Sequence, residues 1–167
     1  MTTDPEQIYR HAMSAFATGV TVVTARGADS VLSGMTVNSL TSVSLSPRLL
    51  LWCLGDRSDR YAAFAEAEEW GVTVLRADSE ASARRHSRAP TQNVPADAAE
   101  LLAGVSVLRE GLAQLACRTH HRMQAGDHLI IIGEVLDVRV RPGAALTFFR
   151  GGYGEVAGPA DKLGSKD

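Results

Sequence analysis

Strand-forming runs in this sequence follow one another without the regularly placed helices that a doubly wound parallel sheet needs. Val20-Thr21-Val22-Val23-Thr24-Ala25 is β-branched and apolar, and reads as a buried strand. Arg26-Gly27-Ala28-Asp29-Ser30 is turn-like, and Val31 to Val43 continues as a strand-like segment rich in Thr, Ser and Val until Pro47 breaks it. Leu49-Leu50-Leu51-Trp52-Cys53-Leu54 is a short apolar run between turn signals and predicts a central strand. Trp70 to Leu75, Leu112 to Thr119, Leu129 to Val140 and Leu146 to Arg150 also carry strand patterning. The second half of 129–140 alternates polar and apolar residues, so one of its faces is exposed or meets something polar.

Helices are few. Asp4 is placed to cap a first helix, with Pro5 at its first position and Gln7 where a capping box wants it. Ile8, Ala12, Ala15 and Phe16 give that helix an apolar face, and Gly19 is expected to end it. Ser58 is placed to cap a short helix carrying Tyr61, Phe64 and Ala65, and residues 79–88 read as a polar, basic helix. Residues 89–100, with Pro90 and Pro95, read as a loop. This order predicts a mainly β protein, an antiparallel barrel with peripheral helices. At 167 residues the chain holds roughly one domain. We assign that domain to residues 1–156 and a flexible tail to 157–167.

With 17 basic and 19 acidic side chains the net charge is −2, which argues against a nucleic-acid coat or a polybasic membrane binder. No apolar stretch approaches the length of a membrane span, and Met1-Thr2-Thr3-Asp4-Pro5 lacks the basic and apolar regions of a leader, so the expectation is a cytoplasmic protein. Cys53 and Cys117 sit in apolar runs without metal-type spacing and read as reduced, buried, small hydrophobes.

Four segments could carry chemistry. Gly34 to Pro47 holds more hydroxyl and amide side chains than a core strand needs. Thr36, Asn38, Ser39, Ser42 and Ser44 could let the backbone approach a flat polar ligand, or could form an exposed Thr/Ser face. Arg57-Ser58-Asp59-Arg60 suits a phosphate at a helix start, or is an ordinary capped helix with solvated charges. Gly126-Asp127-His128 offers a histidine for a ligand amide or a proton, or a partly exposed polar residue at a strand start. Phe148-Phe149-Arg150-Gly151-Gly152-Tyr153 could close over a stacked ring, or is a strand end and its turn. His120 and His121 are read as surface residues. Neither nucleotide-binding glycine motif nor a Ser/His/Asp order is present, so an enzyme built on this chain leans on a cofactor.

In order and spacing, these pieces resemble the short-chain flavin reductase family, the flavin-binding split-barrel reductases of two-component monooxygenases. The resemblance rests on Phe16-Ala17-Thr18-Gly19-Val20-Thr21-Val22-Val23-Thr24, on Gly34 through Leu45, on Leu49 through Leu54, on Gly126 through Val135 and on Arg150-Gly151-Gly152-Tyr153. It implies a six-stranded, FMN-binding split barrel of Greek-key topology working as a homodimer. It implies hydride transfer from NADH or NADPH to FMN or FAD, with the reduced flavin passing to a monooxygenase. Thr36, Val37, Asn38, Ser39, Ser42 and Ser44 would then hold the flavin ring edge and ribityl chain. Trp52, Cys53 and Leu54 would offer backbone groups to the pyrimidine end, and Ser58 and Arg60 would meet the phosphate. His128 would orient the nicotinamide, and Tyr153 would help close the pocket. The alternatives are a bound flavin that reduces another acceptor and a flavin carrier or sensor without turnover. Two departures stand out: Arg48 takes the place of a second proline, and Arg84-Arg85-His86-Ser87-Arg88 replaces an aromatic followed by small residues. Arg84, Arg85 and Arg88 form either an anion site or a solvated helix face.

Overall fold

The computed structural model describes residues 4–87 and 93–158. It contains helix α1 (Pro5–Ser14), strands β1 (Thr18–Gly19), β2 (Thr21–Arg26), β3 (Leu32–Val37), β4 (Thr41–Leu45) and β5 (Arg48–Gly55), and helix α2 (Tyr61–Ala65). Strand β6 (Glu69–Val74) and helix α3 (Glu80–His86) follow, then β7 (Ala99–Leu102), β8 (Val105–Leu108), β9 (Ala113–Ala125), β10 (His128–Val140), β11 (Ala145–Phe149) and β12 (Gly152–Val156). No described helix is long and apolar enough to cross a membrane.

Seven strands form one antiparallel sheet in the order β3-β2-β6-β9-β10-β5-β4. Its outermost strands, β3 and β4, are consecutive in sequence and joined only by Asn38, Ser39 and Leu40. Four Cα steps reach at most roughly 14 Å. The two edges of the sheet must therefore lie side by side, so the sheet curls into a barrel left open along one seam, with those three residues bridging it. A second sheet has the order β1-β11-β12. It is tied to the barrel where Val20 N donates to Leu146 O at 3.2 Å and Leu146 N donates to Leu75 O at 3.1 Å.

The barrel interior is filled by Trp52, Trp70 and Phe64 in edge-on contact, with ring centroids 5.6 Å apart for Trp52–Phe64 and 6.0 Å for Trp52–Trp70. Space for the Trp70 indole comes from Gly133 on β10, where a Cβ would fall 2.3 Å from Trp70 Cζ2. The indole nitrogen donates to Thr119 Oγ1 at 3.0 Å, so the ring is fixed at both its apolar and polar ends.

Several expectations change on contact with the fold. Helix α1 is capped by the Asp4 carboxylate as expected, but it ends at Ala15 rather than Gly19, and it buries none of its residues. Gly19 instead belongs to β1 and pairs with Thr147. The segment 31–43 is two strands, because the chain turns across the seam at Asn38. Arg60, not Ser58, occupies the N-cap position of α2; Ser58 Oγ accepts from Arg60 N at 3.3 Å, without capping the helix itself. The run 49–54 belongs to β5, next to the edge strand β4 rather than central. Cys117 is buried, and burial pushes its thiol up to about 12, while Cys53 is only half-buried. The hairpin β7–β8 and strand β12 are additional to the expected strands, and β9 runs on to Ala125. Residues 159–167 of the expected tail, together with Arg88 and Pro90, lie outside the described residues.

Candidate functional site

Along the barrel seam runs a groove of about 810 Å³, within the roughly 300–1,000 Å³ typical of small-molecule sites. One wall is α1, through Tyr9 and Met13 one helical turn apart, continued by Phe16 just beyond the helix end. The seam residues Asn38, Ser39 and Leu40 also line it, with Thr41, with Thr18 and Gly19 of β1, and with His128. A smaller cleft of about 160 Å³, lined by Val20, Thr36, Val37, Asn38, Ser87, Phe148 and Tyr153, adjoins it. Asn38 borders both spaces, so groove and cleft meet at this residue.

Local structure explains each placement. At the seam, β4 pairs with β5 only from Arg48 to Leu51, leaving the edge of β5 open beyond that point. Ser39 takes up the open edge: Cys53 N donates to Ser39 Oγ at 3.0 Å. The Thr36 hydroxyl donates to Ala83 O at 2.7 Å and pins β3 to α3, and Thr21 Oγ1 donates to Val37 O at 3.1 Å. His128 begins β10 opposite Gly55. Its Nδ1 lies 2.8 Å from Asp127 Oδ1, and this hydrogen bond is the main cause of an Asp127 carboxyl held below its usual range. With Asp127 accepting at Nδ1, Nε2 is the ring's other nitrogen, and it lies beside Gly55.

The side chains of the other expected residues do not line the groove. Ser42 is exposed on β4, and Ser44 Oγ accepts from Ser46 N at 3.2 Å; neither lines the groove. The Trp52 and Leu54 side chains are fully buried in the core. Arg60 donates through Nη1 to the carbonyls of Gly34 and His86, the latter at 3.2 Å, and so ties β3 to the end of α3. Burial lowers its pKa, with Asp59 acting in the opposite sense. Tyr153 packs edge-on against Phe148, with centroids 5.3 Å apart, and Arg84 lies over its ring.

One groove residue went unremarked as a candidate in the sequence. Thr18 Oγ1 is buried at the groove wall without a hydrogen-bond partner. Such a hydroxyl is an anchor for a polar ligand edge. The only signal was a threonine just ahead of an apolar strand.

Matched against known proteins, residues 13–157 fit the model of the flavin reductase like domain. The chain is 42% identical over 149 residues to the FMN reductase (NADH) SmoA of Agrobacterium fabrum, covering 89% of this chain and 85% of that one. It is 32% identical over 154 residues to the reductase component of the 4-nitrophenol 4-monooxygenase/4-nitrocatechol 2-monooxygenase of Rhodococcus opacus, covering 87% and 78%. Among solved structures, the Streptomyces globisporus NADH:FAD oxidoreductase SgcE6 in complex with NAD and FAD fragments superposes with a TM-score of 0.82 at 32% identity, covering 96% of this chain and 99% of that one. The barrel open along one seam is the split barrel of these reductases, and the chain belongs to the flavin reductase like family.

Proposed function

We propose that this chain is an NAD(P)H:flavin oxidoreductase that reduces FMN or FAD and supplies the reduced flavin to a partner monooxygenase. The observation that carries this reading is one groove lined together by Asn38, Ser39, His128 and a buried Thr18 hydroxyl that has no hydrogen-bond partner among the described residues. A flavin supplies the hydride-accepting ring when bound. What the protein must provide is alignment of two flat rings, with little proton transfer of its own. The donor set fits a flavin: short hydroxyl and amide groups suit the polar edge of the ring, and the apolar stripe of α1 suits its face. Asn38 and Ser39 hold the flavin edge, and Tyr153 closes the adjoining cleft. His128, fixed by Asp127, presents Nε2 to the nicotinamide amide and orients it. Relatives named as FMN and FAD reductases using NADH, and as a monooxygenase reductase component, support the same assignment.

A homodimer is part of the reading. Ile8, Tyr9 and Met13, on a helix that buries nothing within its own chain, and Phe16 just beyond its end are all at least half exposed, between 50% and 69%. Apolar faces of this kind mark association surfaces. Sedimentation of the purified protein should give twice the chain mass.

The test of function is oxidation of NADH and of NADPH followed at 340 nm with FMN, with FAD and without added flavin. Turnover that rises with added flavin is the expected result. Turnover independent of added flavin would point to a bound flavin and another acceptor. Flavin binding without any oxidation would replace the reading with a carrier.

A further inference from the structure

Tyr153 is the one half-buried residue of β12; the rest of the strand is exposed. The backbone of β12 pairs with β11 alone, and it enters from a turn whose Arg150 and Gly151 both have positive φ, 46° and 81°. What holds the Tyr153 ring in place therefore comes from side chains. Phe148 meets it edge-on. The Arg84 guanidinium carbon lies 4.9 Å from the ring centroid, within cation–π range. Arg84 is itself fixed: its Nε and Nη2 both reach Glu80 Oε1, at 2.7 and 2.6 Å, one helical turn earlier. Because Thr36 anchors α3 to β3, Arg84 stands on the same frame as the cleft that Tyr153 borders. Two of the five guanidinium N–H groups reach Glu80, which holds the group on the helix and leaves its flat face to stack on a ring.

We propose that Arg84 is a positioning residue for flavin, holding the Tyr153 ring as the outer wall of the cleft and so setting flavin affinity without touching the flavin phosphate. The proposal rests on the flavin-reductase reading and adds to it a residue that neither groove nor cleft includes in its lining. It also gives Arg84 a role other than the anion site considered from the sequence.

The experiment compares wild type, Arg84→Ala, Arg84→Lys, Tyr153→Ala and the double variant Arg84→Ala/Tyr153→Ala, each titrated with FMN and with riboflavin by quenching of flavin fluorescence. Loss of a partly exposed cation–π contact corresponds to a roughly two- to fivefold loss of affinity. Arg84→Ala should show that loss equally for FMN and riboflavin, and Arg84→Lys should recover part of it. The double variant should bind no more weakly than Tyr153→Ala. In turnover, KM for flavin should rise more than kcat falls. In the ligand-free protein, hydrogen exchange of residues 152–156 should quicken in Arg84→Ala while β9 and β10 keep their protection. A loss confined to FMN would mean direct phosphate contact and overturn the proposal. So would additive effects in the double variant, or unchanged affinity and unchanged exchange. If wild type binds neither flavin, the flavin-reductase reading itself fails, an outcome distinct from wild-type binding that Arg84→Ala leaves intact.

Discussion

The hydroxyl of Ser39 accepts a hydrogen bond from the backbone nitrogen of Cys53 at 3.0 Å, across the place where the barrel is not closed by strand pairing. A side chain here substitutes for a missing neighbour strand and gives the seam a fixed shape. Ser39→Ala should lower unfolding free energy by about 1 kcal/mol, the net worth of one such bond, and weaken FMN binding at the same time. Urea denaturation and a flavin titration of the same sample check both effects. A loss of binding with no loss of stability would assign Ser39 to the ligand alone.

His128 stands half exposed with its Nδ1 held by Asp127. On the proposed reading, in which His128 orients the nicotinamide and carries no proton, His128→Ala should mainly raise the KM for NAD(P)H. Steady-state kinetics at saturating flavin decide the matter, and unchanged kinetics would remove His128 from the site.

Gly133 is where the barrel interior is tightest. A methyl group there would sit 2.3 Å from Trp70 Cζ2, and the indole cannot retreat without breaking its bond to Thr119. Gly133→Ala should therefore destabilise by about 1–3 kcal/mol, the usual range for overpacking. Adding Trp70→Phe should recover less than a simple volume argument gives, because Thr119 then loses its donor. Chemical denaturation of the single and double variants measures this.

His86 is almost wholly buried, with Nδ1 against Ser82 O at 2.9 Å and Nε2 without a partner. Burial, then Arg85 and Arg60, lower its pKa below the ordinary value. The folded protein thus keeps His86 neutral where the unfolded chain protonates. Stability is fully present above pH 6.5 and falls as pH drops from there toward the lowered pKa, with a slope of at most about 1.4 kcal/mol per pH unit. His86→Phe should flatten that part of the curve. Thermal melts of both proteins from pH 7.5 to 5.0 give the comparison.

Much of the barrel was readable because its strands announce themselves locally. Val20–Ala25 and Leu129–Val140 carry β-branched runs, and the Asp4-Pro5 pair marks the start of α1. The hairpin β7–β8 escaped because its turn uses Ala103 at φ 47° before Gly104, without the paired turn residues that signal a hairpin. Barrel closure at Asn38 was not legible either, since strand order in space is fixed by which edges meet. The same limit applies to Arg60. An arginine at a helix start looks like a phosphate anchor, and only the fold shows Gly34 and His86 carbonyls facing it. Asn38 and His128 were found as candidates because polar groups amid apolar strands are conspicuous. Thr18 was passed over because one threonine beside a glycine is not.

Helix α1 has ten residues and buries none of them, yet its Tyr9 and Met13, with Phe16 just beyond it, form one wall of the groove. A helix of that length is marginal by itself in water. The wall is therefore only as ordered as what packs against it. In the proposed homodimer, association and ligand capture are two ends of one equilibrium: any factor by which a second subunit tightens flavin is the factor by which flavin tightens the pair.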